Sequence, residues 1–197
     1  MSPHLWPYEA KLLGAAAAGI RSVAPGAVAE THISNSSSPT FATAFYQAMK
    51  DGAVGPDVAG FSFYPTATPA PNTRLKDLSD TVAAVHGQLG MPSFLAEVGY
   101  PAAPMSGTSY FSTWNGALAS YPLTETGQHD LFHDLASWGA TGALTGVRPW
   151  APDVFVTDWA PMSFFSLPDG SVVGLARAGL DAIAQGTATP DANALKD

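Results

Sequence analysis

Glu97 is the residue whose placement points most directly to chemistry. It lies near the end of an apolar run, Ser93-Phe94-Leu95-Ala96-Glu97-Val98-Gly99-Tyr100, that halts at Pro101. A carboxylate within an apolar strand is costly unless it is paired or put to use. At a strand's C-terminal end, beside small residues and a tyrosine, it suits attack on the anomeric carbon of a sugar; a structural ion pair is the competing reading. Strand alternation puts Leu95, Glu97 and Gly99 on one face. Tyr64 ends the preceding strand-like run in phase with Ser62 and Gly60. Its phenol could donate a hydrogen bond to a neighbouring carboxylate and orient it, or simply cap the core. His32 ends an earlier run, in phase with Val28 and Glu30, and could contact substrate hydroxyls. Trp150 ends a fourth run, while Trp6, Trp114 and Trp159 fall in expected loops. Sugars stack their C–H faces on such rings, although plain packing is an equally ordinary use.

Other chemistries find less support. His129 and His133 have metal-ligand spacing on a helix, but no metalloprotease glutamate adjoins them, and the expected metal-site assignment is none. Asp153 and Asp158 could bind calcium, though their spacing matches no EF-hand; no cofactor is expected. The chain has no cysteine, which excludes disulfides and thiolate chemistry. It contains no G-x-S-x-G elbow, P-loop or G-x-G-x-x-G. Net charge is −8, with only 8 Lys and Arg scattered singly, so no basic stripe exists to follow nucleic acid phosphates. No apolar run reaches the ~18 residues of a membrane span, and no signal peptide is evident; compartment is otherwise undetermined.

These residues need a frame. Helical composition or spacing marks 8–23, 41–50, 75–89, 124–138 and 172–183, and short apolar strands mark 27–33, 57–64, 93–100 and 142–150. Thr124 is the expected cap of the fourth helix. The segments 102–122 and 151–170 read as long loops following strands, and 185–197 as a polar, frayed tail after a domain of residues 1–184. Short apolar strands alternating with helices imply a parallel sheet covered by helices, with ligands at the strands' C-terminal ends.

The sequences DVAGFSFYP (57–65), FLAEVGYP (94–101) and YPLTETGQHDLFHDL (121–135) resemble, in order and spacing, the arabinogalactan endo-β-1,4-galactanases of glycoside hydrolase family 53. The resemblance runs from Leu5 to about Ile183. It implies a (β/α)8 TIM-type barrel of which this chain holds strands five to eight with flanking helices, a half barrel. It also implies that Glu97 is the catalytic nucleophile on strand seven and that His32 ends strand five; the expected substrate contacts are His32, Tyr64, Trp150 and Trp159. The expected substrate is galactan or a related β-linked polysaccharide, and the parent family is extracellular. The family's acid/base is a Glu in an Asn-Glu pair at the end of strand four, and no Asn-Glu occurs here. Glu30 is the one other acidic residue near a strand end, set deeper than His32. Weak activity of this chain alone is therefore expected, with a non-catalytic carbohydrate-binding protein as the alternative. Two further departures touch galactan specificity: Val98-Gly99 replace the family's Thr-Ala, and Trp150-Ala151-Pro152 stands where Trp-Glu-Pro is usual. A half barrel is expected to expose strand edges and an apolar inner face, and so to self-associate.

Overall fold

Alanine and leucine crowd the first helical segment, and α1 (Trp6–Val23) forms there with Pro7 in its first turn, where a missing N–H forfeits no hydrogen bond. The computed structural model describes residues 3–52, 55–67, 74–107, 110–154, 158–166 and 175–196. After α1 come β1 (Glu30–Ile33), α2 (Pro39–Lys50), β2 (Val58–Phe63), α3 (Arg74–Leu89), β3 (Ser93–Val98), α4 (Glu125–Trp138), β4 (Val147–Pro149), β5 (Phe165–Ser166), β6 (Leu175–Ala176) and α5 (Gly179–Ala188). Ser38 caps α2 by accepting from the Phe41 amide, and Thr124 caps α4 by accepting from that of Gly127, as expected for these residue types. β1 to β4 form one sheet in sequential order, and the pairs β1–β2 and β3–β4 are parallel. The fold is therefore α/β, with helical crossovers between parallel neighbours. β5 and β6 make a separate antiparallel pair.

The chain divides into two compact units, residues 1–62 with 77–94, and residues 63–76 with 95–197. In the first, Trp6 is not a loop residue: it opens α1 and packs edge-on against Phe41 and Phe45 of α2, ring centres 5.6 and 5.5 Å away. The buried Tyr46 hydroxyl reaches the carbonyls of Gly60 at 2.6 Å and Thr31 at 3.0 Å, fastening α2 to the paired strands β1 and β2. On β1 the exposed side chains are Glu30 and His32, with Thr31 and Ile33 buried. The exposed side chains of that strand are thus polar. Among the described residues of this unit, large exposed apolar side chains include Tyr8, Leu12, Ile20 and Val23 on α1 and Val28 just before β1.

In the second unit α4 and α5 pack together, and the buried Gln128 amide donates to the carbonyls of Tyr100 at 2.8 Å and Met162 at 3.3 Å. Three sequence expectations change here. The expected strand at 142–150 shrinks to β4, because α4 runs on into a π-helical turn at Gly139–Ala143 that ends through Gly142 at φ 98°, a conformation open to glycine. The closing helix lies later than expected, ending at Ala188; residues 172–174 are outside the described ones. The tail is not frayed. Ala194 is buried, the Lys196 ammonium sits 2.9 Å from Asp134 Oδ2, and the Lys196 amide donates to the Tyr121 hydroxyl at 3.1 Å. That hydroxyl in turn donates to Asp134 at 3.0 Å, so a buried carboxylate on α4 holds the last residues in place.

Candidate active site

Glu97 is aimed by an irregularity in β3. Simple alternation would put it on the face of Leu95, yet Leu95 is fully buried while Glu97 is only partly buried. The β3–β4 register, with Leu95 facing Val147 and Val98 facing Pro149, shifts between Leu95 and Val98. An extra residue there reverses the side chains beyond it, which is how β-bulges commonly turn a functional group outward. A bulge disturbs the hydrogen-bond ladder, and here the Ala96 carbonyl accepts from Arg148 Nε at 2.9 Å. The ladder resumes where the Trp150 amide donates to Val98 O at 2.9 Å.

Tyr64, the residue after β2, donates its phenolic hydrogen to Glu97 Oε2 at 3.0 Å. Burial, reinforced by the Glu97 charge, pushes the Tyr64 phenol well above its ordinary range, so it remains a donor throughout the neutral region. The Tyr64 ring lies over Gly99. A Cβ at that position would stand 2.8 Å from Tyr64 Cε1 and 2.9 Å from Cδ1, so only glycine leaves the phenol room. Trp114 flanks the same ring, centres 5.5 Å apart, and both pack on a small core of Met105, Trp159 and Met162.

The two tryptophans expected to meet substrate separate into different roles. Trp150 is 42% exposed, with one ring edge against Trp159 at 4.7 Å between centres. Trp159 is 3% exposed and donates from Nε1 to the Ala151 carbonyl at 3.2 Å; it supports Trp150 and has no open face for a sugar. Ala151, immediately after Trp150, has φ 46°, a left-handed conformation that costs a residue with a Cβ about 1–2 kcal/mol. Strain of this kind tends to gather at functional sites. His32, in the first unit, is exposed, and its Nε2 lies 2.7 Å from the buried Ser62 hydroxyl. Glu30 opens β1, and its carboxylate lies over Gly60.

The structure thus brings together Glu97, Tyr64 and Trp114, and the small core of Met105, Trp159 and Met162 on which Tyr64 and Trp114 pack carries the exposed Trp150 through Trp159. Sequence reasoning missed Gly99 and Arg148 as supporting residues; the glycine beside a tyrosine-bearing strand end was the available signal for the first. With Glu97 as the nucleophile that the sequence resemblance implies, we expect Tyr64→Phe to slow covalent labelling by an activated sugar reagent about 10–100-fold, since a small misplacement of a reacting group has that effect. Binding of the sugar reagent should stay within a few-fold. Single-turnover kinetics over a range of reagent concentrations separates the two; an unchanged rate of attack would mean the phenol does not orient the carboxylate.

A sequence profile described as Glycosyl hydrolase family 53 matches residues 2–190. No curated protein sequence matches the chain. Among solved structures, fungal β-1,4-galactanases align at 20% identity and a TM-score of 0.63, over 82% of this chain and 51% of theirs. The Ignisphaera aggregans GH53 catalytic domain aligns at 19% identity and a TM-score of 0.63, over 83% of this chain and 49% of that one. The chain spans about half the length of these structures, and at such identities the likeness establishes fold.

Proposed function

We propose, from the premise that this chain belongs to glycosyl hydrolase family 53, that it carries the nucleophile side of a retaining glycosidase acting on β-1,4-linked galactan. In this reading β1 to β4 correspond to strands five to eight of a (β/α)8 barrel, and Glu97 stands at the ligand-facing end of strand seven. The observation that carries the reading is the hydrogen bond of 3.0 Å from Tyr64 to Glu97, at the C-terminal ends of neighbouring strands. Glu97 attacks the anomeric carbon; a carboxylate oxygen–C1 bond forms as the C1–O bond to the leaving group breaks, and that oxygen leaves with the electron pair. Trp150 offers its exposed ring to a sugar face next to this point. Natural galactan needs a proton on the departing oxygen, and the family's Asn-Glu acid is absent from this sequence. Polysaccharide turnover by this chain alone is therefore slow, while an aryl leaving group that is stable as an anion bypasses the need.

The test is intact-mass measurement after incubation with 2,4-dinitrophenyl 2-deoxy-2-fluoro-β-galactoside, whose fluorine slows hydrolysis of the intermediate. The expected result is one 2-fluorogalactosyl group per chain, located by digestion to the peptide containing Glu97. No adduct on a cooperatively folded protein, or an adduct on another carboxylate, overturns the assignment.

A further inference from the structure

We propose that α4 and α5 together form a binding site for a late first-row divalent transition metal, built on His129 and His133. The two imidazoles stand one helical turn apart on α4, nearly parallel at 21°, with ring centres 6.0 Å apart. Residues at i and i+4 on a helix share a face and can chelate one ion. Each ring also carries its own carboxylate: His129 Nδ1 lies 2.9 Å from Asp130 Oδ1, and His133 Nδ1 lies 3.0 Å from Asp134 Oδ1. A carboxylate only accepts, so both Nδ1 atoms bear the proton, and in each neutral ring the lone pair sits on Nε2. That is the carboxylate–histidine arrangement that fixes tautomer and orientation around metals and raises ligand basicity. Asp134 is itself held by Tyr121 and Lys196, so this outer shell is anchored to the protein interior.

A third donor comes from the other helix. Gln185 of α5 places its side-chain oxygen 3.3 Å from His129 Nε2, and the Thr189 hydroxyl lies 3.4 Å from His133 Nε2. Two imidazoles and an amide oxygen, completed by water, suit Zn2+, Ni2+ or Cu2+ and not the hard cations Ca2+ and Mg2+. A tetrahedral ion with Zn–N bonds of ~2.0–2.1 Å sets the ring centres roughly 5 Å apart, so closure asks for about an ångström of movement from two partly exposed side chains. Because the donors lie on both helices, the bound ion pins α5 to α4, and binding to the native state alone raises the melting temperature. The inference stands independently of the glycosidase reading.

Isothermal titration of the tag-free chain with ZnCl2 at pH 7.5, paired with thermal melts, tests it. Expected are one ion per chain, a rise in melting temperature that EDTA reverses, and little heat with CaCl2. His129→Ala and His133→Ala should each weaken binding at least tenfold, and Asp130→Asn by about 10–100-fold, the usual loss when an outer-shell carboxylate is removed. His86→Ala, on α3, is the control and should bind as the parent does. Absence of Zn2+ binding by the folded parent chain, or affinity unchanged in both histidine variants, overturns the proposal.

Discussion

Glu97→Gln is expected to abolish covalent labelling by the fluorogalactoside, with a rate reduced by more than about a thousandfold, or roughly 4 kcal/mol in the barrier. The amide keeps the size of the carboxylate, and its oxygen can still accept from Tyr64, so packing around Met105, Trp159 and Met162 is preserved. The melting temperature should stay within about 2 °C of the parent. In the proposed reading, what is lost is the anion that forms the bond to C1, and a removed nucleophile is among the costliest losses in catalysis. Glu97→Ala adds a second readout. It opens space beneath the sugar for azide, which would convert an activated β-galactoside to the α-galactosyl azide by a single inverting displacement. Labelling that persists in Glu97→Gln, or an azide product of unchanged configuration, would place the nucleophile elsewhere.

Much of this site was legible because strand ends announce themselves. Proline after Tyr64 and after Tyr100 stops two apolar runs, and in a parallel sheet those ends meet on one side. The phenol–carboxylate contact follows from that alone, and the structure holds it at 3.0 Å. The face on which Glu97 lies did not follow. Alternation assumes one residue per pleat, and the register shift between Leu95 and Val98 breaks it with no marker in the sequence beyond the polar residue it exposes. Trp159 looked like a platform because it sits in a long loop; the ring contacts that help bury it come from Trp150, at the start of that loop, and from Phe111, distant in sequence. The tail expected at 185–197 looked frayed by composition, yet its residues 189–196 are held. Their anchors are Tyr121, Asp134 and Ser137, more than fifty residues earlier, and local patterning carries no information about such partners.

Gly186→Ala is expected to lower the melting temperature by about 4–8 °C, given roughly 2–4 °C per kcal/mol for a chain of this size. Gly186 lies where α5 crosses α4, and a Cβ there would stand 2.1 Å from the His133 carbonyl oxygen and 3.0 Å from Ala136 Cβ. The nearest obstacle is helix backbone, which cannot rotate away as a side-chain tip can, so the helices must part. Overpacking of this kind costs about 1–3 kcal/mol, and more where nothing yields. Alanine's better helix propensity returns about 1 kcal/mol; with unyielding backbone putting the cost at the upper end of that range, the net loss is about 2 kcal/mol by that difference. Gly19→Ala on α1 isolates the propensity term, because nothing lies within 4 Å of its Cβ position; it should raise the melting temperature by about 1–4 °C. Opposite shifts for the same substitution at two helical glycines would show that the α4–α5 approach, and not glycine's flexibility, decides the outcome at Gly186. Equal shifts would mean that α5 does not sit against α4 as closely as described, and the shared metal donors would separate with it.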